Sequence, residues 1–101
     1  MQTIMVRYRT SSPAHADTNE RLVRAVFEAL TASAPERLRY ACYRLADGVS
    51  FMHVATVEHR SANPLTSLPA FKAFQAELGA RCDGPPTITE LSVVGSYGVG
   101  A

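Results

Sequence analysis

Tryptophan is absent from the 101 residues, lysine occurs once, and there are only two cysteines. Each scarcity closes a class of function. Cys42 and Cys82 form no CxxC spacing, so neither a zinc ribbon nor a thioredoxin-type pair is available, and two reduced thiols are expected. His15, His53 and His59 make neither HxH nor HExxH, and no acidic residue stands beside them at a ligand spacing, so no metal site is expected. Three of the six glycines, Gly95, Gly98 and Gly100, gather near the end where no helix follows. Phosphate-loop and dinucleotide fingerprints are therefore missing, no cofactor is expected, and these glycines read as a loosening tail. Ten Lys and Arg against nine Asp and Glu leave a formal charge of +1, too little for a broad basic surface, so a nucleic-acid partner is not expected. Apolar runs fall far short of the roughly 20 residues of a membrane helix. Met1-Gln2-Thr3-Ile4-Met5-Val6-Arg7 lacks the basic and then apolar regions of a signal peptide, so a cytoplasmic protein without a membrane partner is expected.

What is present suits one globular domain over residues 1–101, with 47% apolar and 19% charged residues. From Thr3 to Thr10, Ile4, Val6 and Tyr8 alternate with Met5, Arg7 and Arg9, the period of a strand with one apolar side. Ser11-Ser12-Pro13 breaks it. Asp17 with Glu20 then reads as a capping box, and Leu22, Val23, Val26, Phe27 and Leu30 mark one stripe of a helix of about four turns, ending before Pro35. From Arg39 to Glu58 two strands flank Asp47-Gly48, a strong two-residue hairpin signal. With that turn, opposed residues have numbers summing to 95, so Arg44 faces Phe51, Cys42 faces His53 and Tyr40 faces Ala55 on one side of the sheet. Asn63-Pro64 starts a turn, Ser67 caps a second helix with Pro69 in its first turn, and Phe71, Phe74, Gln75 and Leu78 recur at helical spacing before Gly79 ends it. Asp83-Gly84-Pro85-Pro86 is a rigid connector, and Thr87 to Tyr97 is a final β-branched strand. The order βαββαβ predicts an α+β, ferredoxin-like fold: a four-stranded antiparallel sheet with two helices on one face.

Two helices cover one face only. Tyr43, Leu45, Met52 and Val54 form the hairpin side expected to meet them. The other side, with Tyr40, Cys42, Arg44, Phe51, His53, Ala55 and Val57, is too apolar for water over a whole sheet, so a second copy is expected to cover it, giving a homodimer.

Leu38-Arg39-Tyr40-Ala41-Cys42-Tyr43-Arg44, Asp47-Gly48-Val49-Ser50-Phe51-Met52-His53-Val54, Leu68-Pro69-Ala70-Phe71-Lys72-Ala73-Phe74 and Val94-Gly95-Ser96-Tyr97-Gly98, in the order βαββαβ, resemble the dimeric α+β barrel superfamily. Within it the chain resembles antibiotic biosynthesis monooxygenase-like domains and their uncharacterised bacterial relatives. The resemblance implies a paired barrel and leaves chemistry open, since monooxygenases, haem-degrading enzymes, isomerases, peroxidases and stress-response proteins share it. Monooxygenase-like members often carry Glu and Trp on the third strand, where Ala55 and Val57 stand here, and a His early in the second helix, near Thr66 here. None of the three is present, and without Trp the Asn, Trp and His set of haem-degrading relatives is excluded.

Three readings follow. In the first, the homodimer binds a small, partly apolar molecule between sheet and helices. In the second, a cofactor-independent monooxygenase acts on an aromatic or quinol-type substrate, with His53 as general base and Tyr40 or Arg44 stabilising the anion. The third is a structural or regulatory dimer with a filled core. The candidate catalytic residue is His53, and the candidate ligand-binding residues are Tyr40, Arg44, Arg7, Cys42 and Phe51. Each has a plainer alternative. His53 serves as a satisfied core histidine, Tyr40 and Phe51 as packing, Cys42 as a small hydrophobe, and Arg7 or Arg44 as partner of Glu58 or Glu90.

Overall fold

The computed structural model describes residues 1–98; Gly100 of the expected glycine tail lies outside them. The elements are strand β1 (Gln2–Arg9), helix α1 (Pro13–Ser33), strands β2 (Leu38–Arg44) and β3 (Ser50–Val57), helix α2 (Pro69–Ala76), the single-turn helix α3 (Leu78–Arg81) and strand β4 (Thr87–Leu91). Two 3-10 turns, Arg60–Ala62 and Pro64–Ser67, link β3 to α2. The strands form one antiparallel sheet in the order β2-β3-β1-β4, with the helices packed on one face, the ferredoxin-like arrangement.

The hairpin register is the expected one: Arg44 opposes Phe51, Cys42 opposes His53 and Tyr40 opposes Ala55. Gly48 takes a φ of 77° that side chains resist, and the Asp47 carboxylate accepts from the Val49 and Ser50 amides at 2.9 and 2.8 Å.

The faces, however, are reversed. Phe51 and Val57 are 1% and 0% exposed within the single chain, Phe51 packed against residues of the helices, whereas Tyr43 is 49% exposed on the side expected to be covered. The cause lies on β1. Ile4, Val6 and Tyr8 oppose Ala55, His53 and Phe51, while Arg7 and Arg9 oppose Met52 and Ser50. Directly opposed residues share a face, so burying Met52 and Val54 would carry the arginines of β1 into the core. The hairpin alone is nearly as apolar on one side as on the other, and β1 breaks the tie. A second copy is therefore not what covers Phe51 and Val57.

Four element ends also differ. Helix α1 begins at Pro13, because Ser12 is its N-cap and accepts from the His15 amide at 3.1 Å, so Asp17 and Glu20 lie inside the helix rather than at its start. At α2 the N-cap is Leu68, and the Ser67 hydroxyl instead donates to the Pro64 carbonyl. Gly79 does not end the second helical segment: the chain bends at Glu77 and resumes for one turn through Arg81, with no left-handed φ at Gly79. Strand β4 stops at Leu91, and Val93, Val94 and Tyr97 beyond it are 70%, 101% and 97% exposed. No helix among the described residues is long and apolar enough to cross a membrane.

Candidate functional site: a polar chain ending in an apolar cavity

Between the helix-covered face of the sheet and α2 lies a cavity of about 220 Å³. Ile4, Val6 and Ala55 on the strands and Leu65, Phe71 and Phe74 on the opposite side give it apolar walls. The exposed Ile88 and Pro86 stand at its outer edge. Tyr8, Tyr40 and His53 form one polar part of the wall, and the side chains of Asn63 and Gln75 add two amides to the lining. The volume equals that of about seven liquid waters and lies below the roughly 300 to 1,000 Å³ of sites for drug-sized ligands, a size suited to a compact molecule.

These polar residues are held by neighbours on every element that meets there. His53, 5% exposed, projects from the middle of β3 with Nε2 at 2.7 Å from the Tyr8 hydroxyl and Nδ1 at 2.5 Å from the Tyr40 hydroxyl. Tyr8 in turn accepts from Asn19 Nδ2 at 2.8 Å. Asn19, fully buried, occupies the inward stripe of α1 one turn before Val23, and its Oδ1 accepts from Arg81 Nε at 3.1 Å. Arg81 is 4% exposed, donates its Nη2 to the Phe74 carbonyl at 2.8 Å and lies over the Phe74 ring at 5.5 Å. The α3 turn is fixed to the sheet by the Ser11 amide, which donates to the Arg81 carbonyl, and by the Asp83 amide, which donates to the Arg9 carbonyl. Among the described residues no carboxylate lies within ion-pair distance of Arg81.

Burial shapes the protonation of the group. It lowers His53 from 6.5 to about 4, so the ring is neutral at pH 7, and both of its nitrogens are already engaged. That is unlike a base poised near neutrality. Burial likewise raises the Tyr8 and Tyr40 hydroxyls well above the ordinary tyrosine range. Cys42 Sγ lies 3.5 Å from His53 Nε2, but burial pushes its thiol up to about 12, leaving it a protonated neighbour and not a nucleophile.

Of the six residues singled out in the sequence, His53 and Tyr40 therefore line the cavity, and Cys42 touches His53 from behind. Phe51 lies in the core, stacked on Tyr8 at 5.7 Å, and supports the site without lining it. Arg44 is elsewhere: its guanidinium donates to the Gly48 carbonyl at 2.9 and 2.7 Å and pairs with Asp17 and Glu20 at 3.1 and 3.2 Å, tying the hairpin turn to α1. Arg7 is exposed on the opposite face of the sheet, so it cannot share a site with His53. Glu58 is paired with Arg37, at 2.7 Å.

Tyr8, Asn19 and Arg81 were not singled out by sequence. The signal for Asn19 was an amide placed four residues before Val23 on an otherwise apolar stripe; for Arg81 there was none once the helix was ended at Gly79. Among the described residues no group of three or more His, Cys, Asp and Glu could hold a metal ion.

No family model and no curated protein matches the chain. Solved structures do. An antibiotic biosynthesis monooxygenase superposes with a TM-score of 0.75 at 18% identity, over 94% of this chain and 100% of its own. Rv0793 from Mycobacterium tuberculosis gives 0.71 at 20% identity, over 94% and 96% of the two chains. SnoaB, a cofactor-independent oxygenase from Streptomyces nogalater, gives 0.62 at 15% identity, over 96% of each. The chain thus has the ferredoxin-like fold of the antibiotic biosynthesis monooxygenase-like proteins.

Proposed function

We propose that this protein binds a small, partly apolar molecule in the cavity between sheet and helices. The observation that carries the reading is the cavity itself: about 220 Å³ of mostly apolar wall closed at one side by the Tyr8, His53 and Tyr40 cluster. Apolar walls supply affinity through burial and a few converging polar groups supply orientation. Calorimetric titration with acetophenone, a one-ring probe with one polar atom, tests it. Ala55 lines the cavity on β3, and Ala55→Leu extends a side chain into the space. Binding in the wild type that is lost in a folded Ala55→Leu protein supports the reading; binding unchanged by Ala55→Leu places the probe elsewhere and refutes it.

A second reading, cofactor-independent oxygenation of an aromatic or quinol-type substrate in the same cavity, is favoured by the shared fold, since SnoaB is a cofactor-independent oxygenase. In it Tyr40 orients the substrate oxygen, and His53 is a hydrogen-bonding partner of Tyr40 in place of the free base. Oxygen uptake with quinols and polyphenols that disappears in Tyr40→Phe supports this reading, and absence of uptake removes it for those substrates.

We further propose that the chain works as a homodimer, joined through the sheet face away from the helices. That face carries the half-exposed Met5, Met52 and Val54 with the exposed Tyr43, and Val93, Val94 and Tyr97 extend beyond β4 with their apolar surface in solvent. Covering about 800 Å² per subunit would remove most of it from water. Light scattering at micromolar concentration decides: a stable 10.9 kDa species contradicts the dimer.

A further inference from the structure

The buried hydrogen bonds behind the cavity have a direction, set by the chemistry of Arg81 and Asn19 at one end and by which tyrosine hydroxyl is the more open at the other. A guanidinium can only donate, so the Asn19 atom facing Arg81 is the carbonyl oxygen and the atom facing Tyr8 is the amide nitrogen. Tyr8 therefore accepts from Asn19; its oxygen has a second lone pair, but Tyr8 is 5% exposed and Tyr40 is the more open of the two tyrosines. The Tyr8 O–H is thus assigned to its one acceptor among the described residues, His53 Nε2 at 2.7 Å, and the free hydroxyl hydrogen falls to Tyr40. A neutral imidazole carries one proton, so with Nε2 accepting, the proton sits on Nδ1 and is donated to the Tyr40 oxygen at 2.5 Å. The Tyr40 O–H has no further partner among the described residues, and Tyr40 stands in the cavity wall.

We propose that the chain Arg81 to Asn19 to Tyr8 to His53 to Tyr40 is an oriented donor relay that makes Tyr40 a hydrogen-bond donor to the cavity, so the site takes a ligand bearing an acceptor oxygen such as a carbonyl. Tyr40 is the specificity-determining contact. Asn19 and Arg81 are positioning residues that never reach the ligand. The proposal rests on the cavity reading above and adds which polar group the ligand presents.

The direction can be reversed by one near-isosteric change. In Asn19→Asp the carboxylate accepts from Arg81 and also from the Tyr8 O–H. Tyr8 must then accept from His53 Nε2–H, His53 Nδ1 accepts from the Tyr40 O–H, and Tyr40 offers the cavity a lone pair. The new carboxylate pairs with a buried cation that has no other carboxylate beside it among the described residues, so the variant retains a satisfied interior.

Two measurements test the relay. Nitrogen-15 NMR of the ring of His53 is expected to show the proton on Nδ1 in the wild type and on Nε2 in Asn19→Asp; a wild-type ring protonated on Nε2, or a tautomer unchanged by Asn19→Asp, overturns the proposal. A structural role for Asn19 alone would not move the tautomer. Titration with acetophenone and with isopropylbenzene, which has a methyl in place of the oxygen, reads the consequence. Acetophenone is expected to bind several-fold to about tenfold more tightly, with the preference lost in Tyr40→Phe and in Asn19→Asp. Equal binding of both probes, each blocked by Ala55→Leu, overturns the relay's role in selection and leaves the cavity reading intact. Binding of neither probe refutes the cavity reading, and ligand selection with it, while the tautomer still judges the direction. Should Asn19→Asp not fold, the wild-type tautomer and the Tyr40→Phe titration decide.

Discussion

Replacing Asn19 by leucine, which keeps the branched four-atom outline of the side chain and removes its polar atoms, tests what the relay contributes to stability. The amide is 0% exposed and touches two partners, Arg81 at 3.1 Å and the Tyr8 hydroxyl at 2.8 Å. A hydrogen bond to a charged group contributes about 1.5–3 kcal/mol and a neutral one about 0.5–1.5 kcal/mol. Losing both, with Arg81 left 4% exposed and short of a partner, is expected to cost about 3 kcal/mol. For a domain of this size that lowers the melting temperature by about 12–24 °C, and in urea it moves the midpoint down by about 1–3 M. The single variant cannot separate lost bonds from a stranded charge, so Arg81→Met and the double variant complete a cycle. Once both polar partners are gone neither is stranded, and the double variant is expected to recover at least about 1 kcal/mol relative to the sum of the singles. A loss below about 1 kcal/mol in Asn19→Leu, or strict additivity in the cycle, would refute the reasoning.

Titration offers a further test. Because burial depresses His53 from 6.5 to about 4, the unfolded chain binds its proton first as the pH falls. The stability is complete above pH 6.5 and is lost progressively down to about pH 4, by about 3 kcal/mol, while urea unfolding of His53→Phe should lack that component of the slope. Asp47, held near 2 first by the Ser50 hydroxyl and then by the Ser50 and Val49 amides, stabilises the hairpin fully above its ordinary 3.8 and loses that effect as the pH drops toward 2. Thermal melts of Asp47→Asn at pH 4 and pH 2 should accordingly differ less than those of the wild type. Gly48→Ala places a side chain at a φ of 77° and is expected to cost about 1 kcal/mol in urea unfolding, with cavity binding unchanged.

Periodicity and turn chemistry carried the element order and the hairpin register, because Asp47-Gly48 satisfies local demands that leave one pairing. They could not carry the choice of buried face. Tyr43, Met52 and Val54 look as suited to a core as Phe51, Ala55 and Val57, and what decides is the pairing of β1 with β3, a contact between residues some 50 positions apart that brings Arg7 and Arg9 to the Met52 side. His53 and Tyr40 were visible as polar groups on the side that proved to be buried. Their partners were not, for separate reasons. Tyr8 passes for one more apolar strand residue, and Arg81 follows a glycine that ordinarily ends a helix but here lies within a resumed turn.

The same five side chains therefore answer two demands. Holding α3 against α1 and the sheet requires only that each buried polar group find a partner, and many arrangements would do that, including a carboxylate opposite Arg81. An amide at position 19 satisfies the arginine without neutralising it and, unlike a carboxylate, must donate onward to Tyr8. That difference is invisible to packing, since asparagine and aspartate have nearly the same shape. It matters only for the far end of the chain, where Tyr40 meets the cavity. Stability selects for a satisfied network, whereas the direction of the network has consequences only for what the cavity holds, so position 19 separates the two requirements.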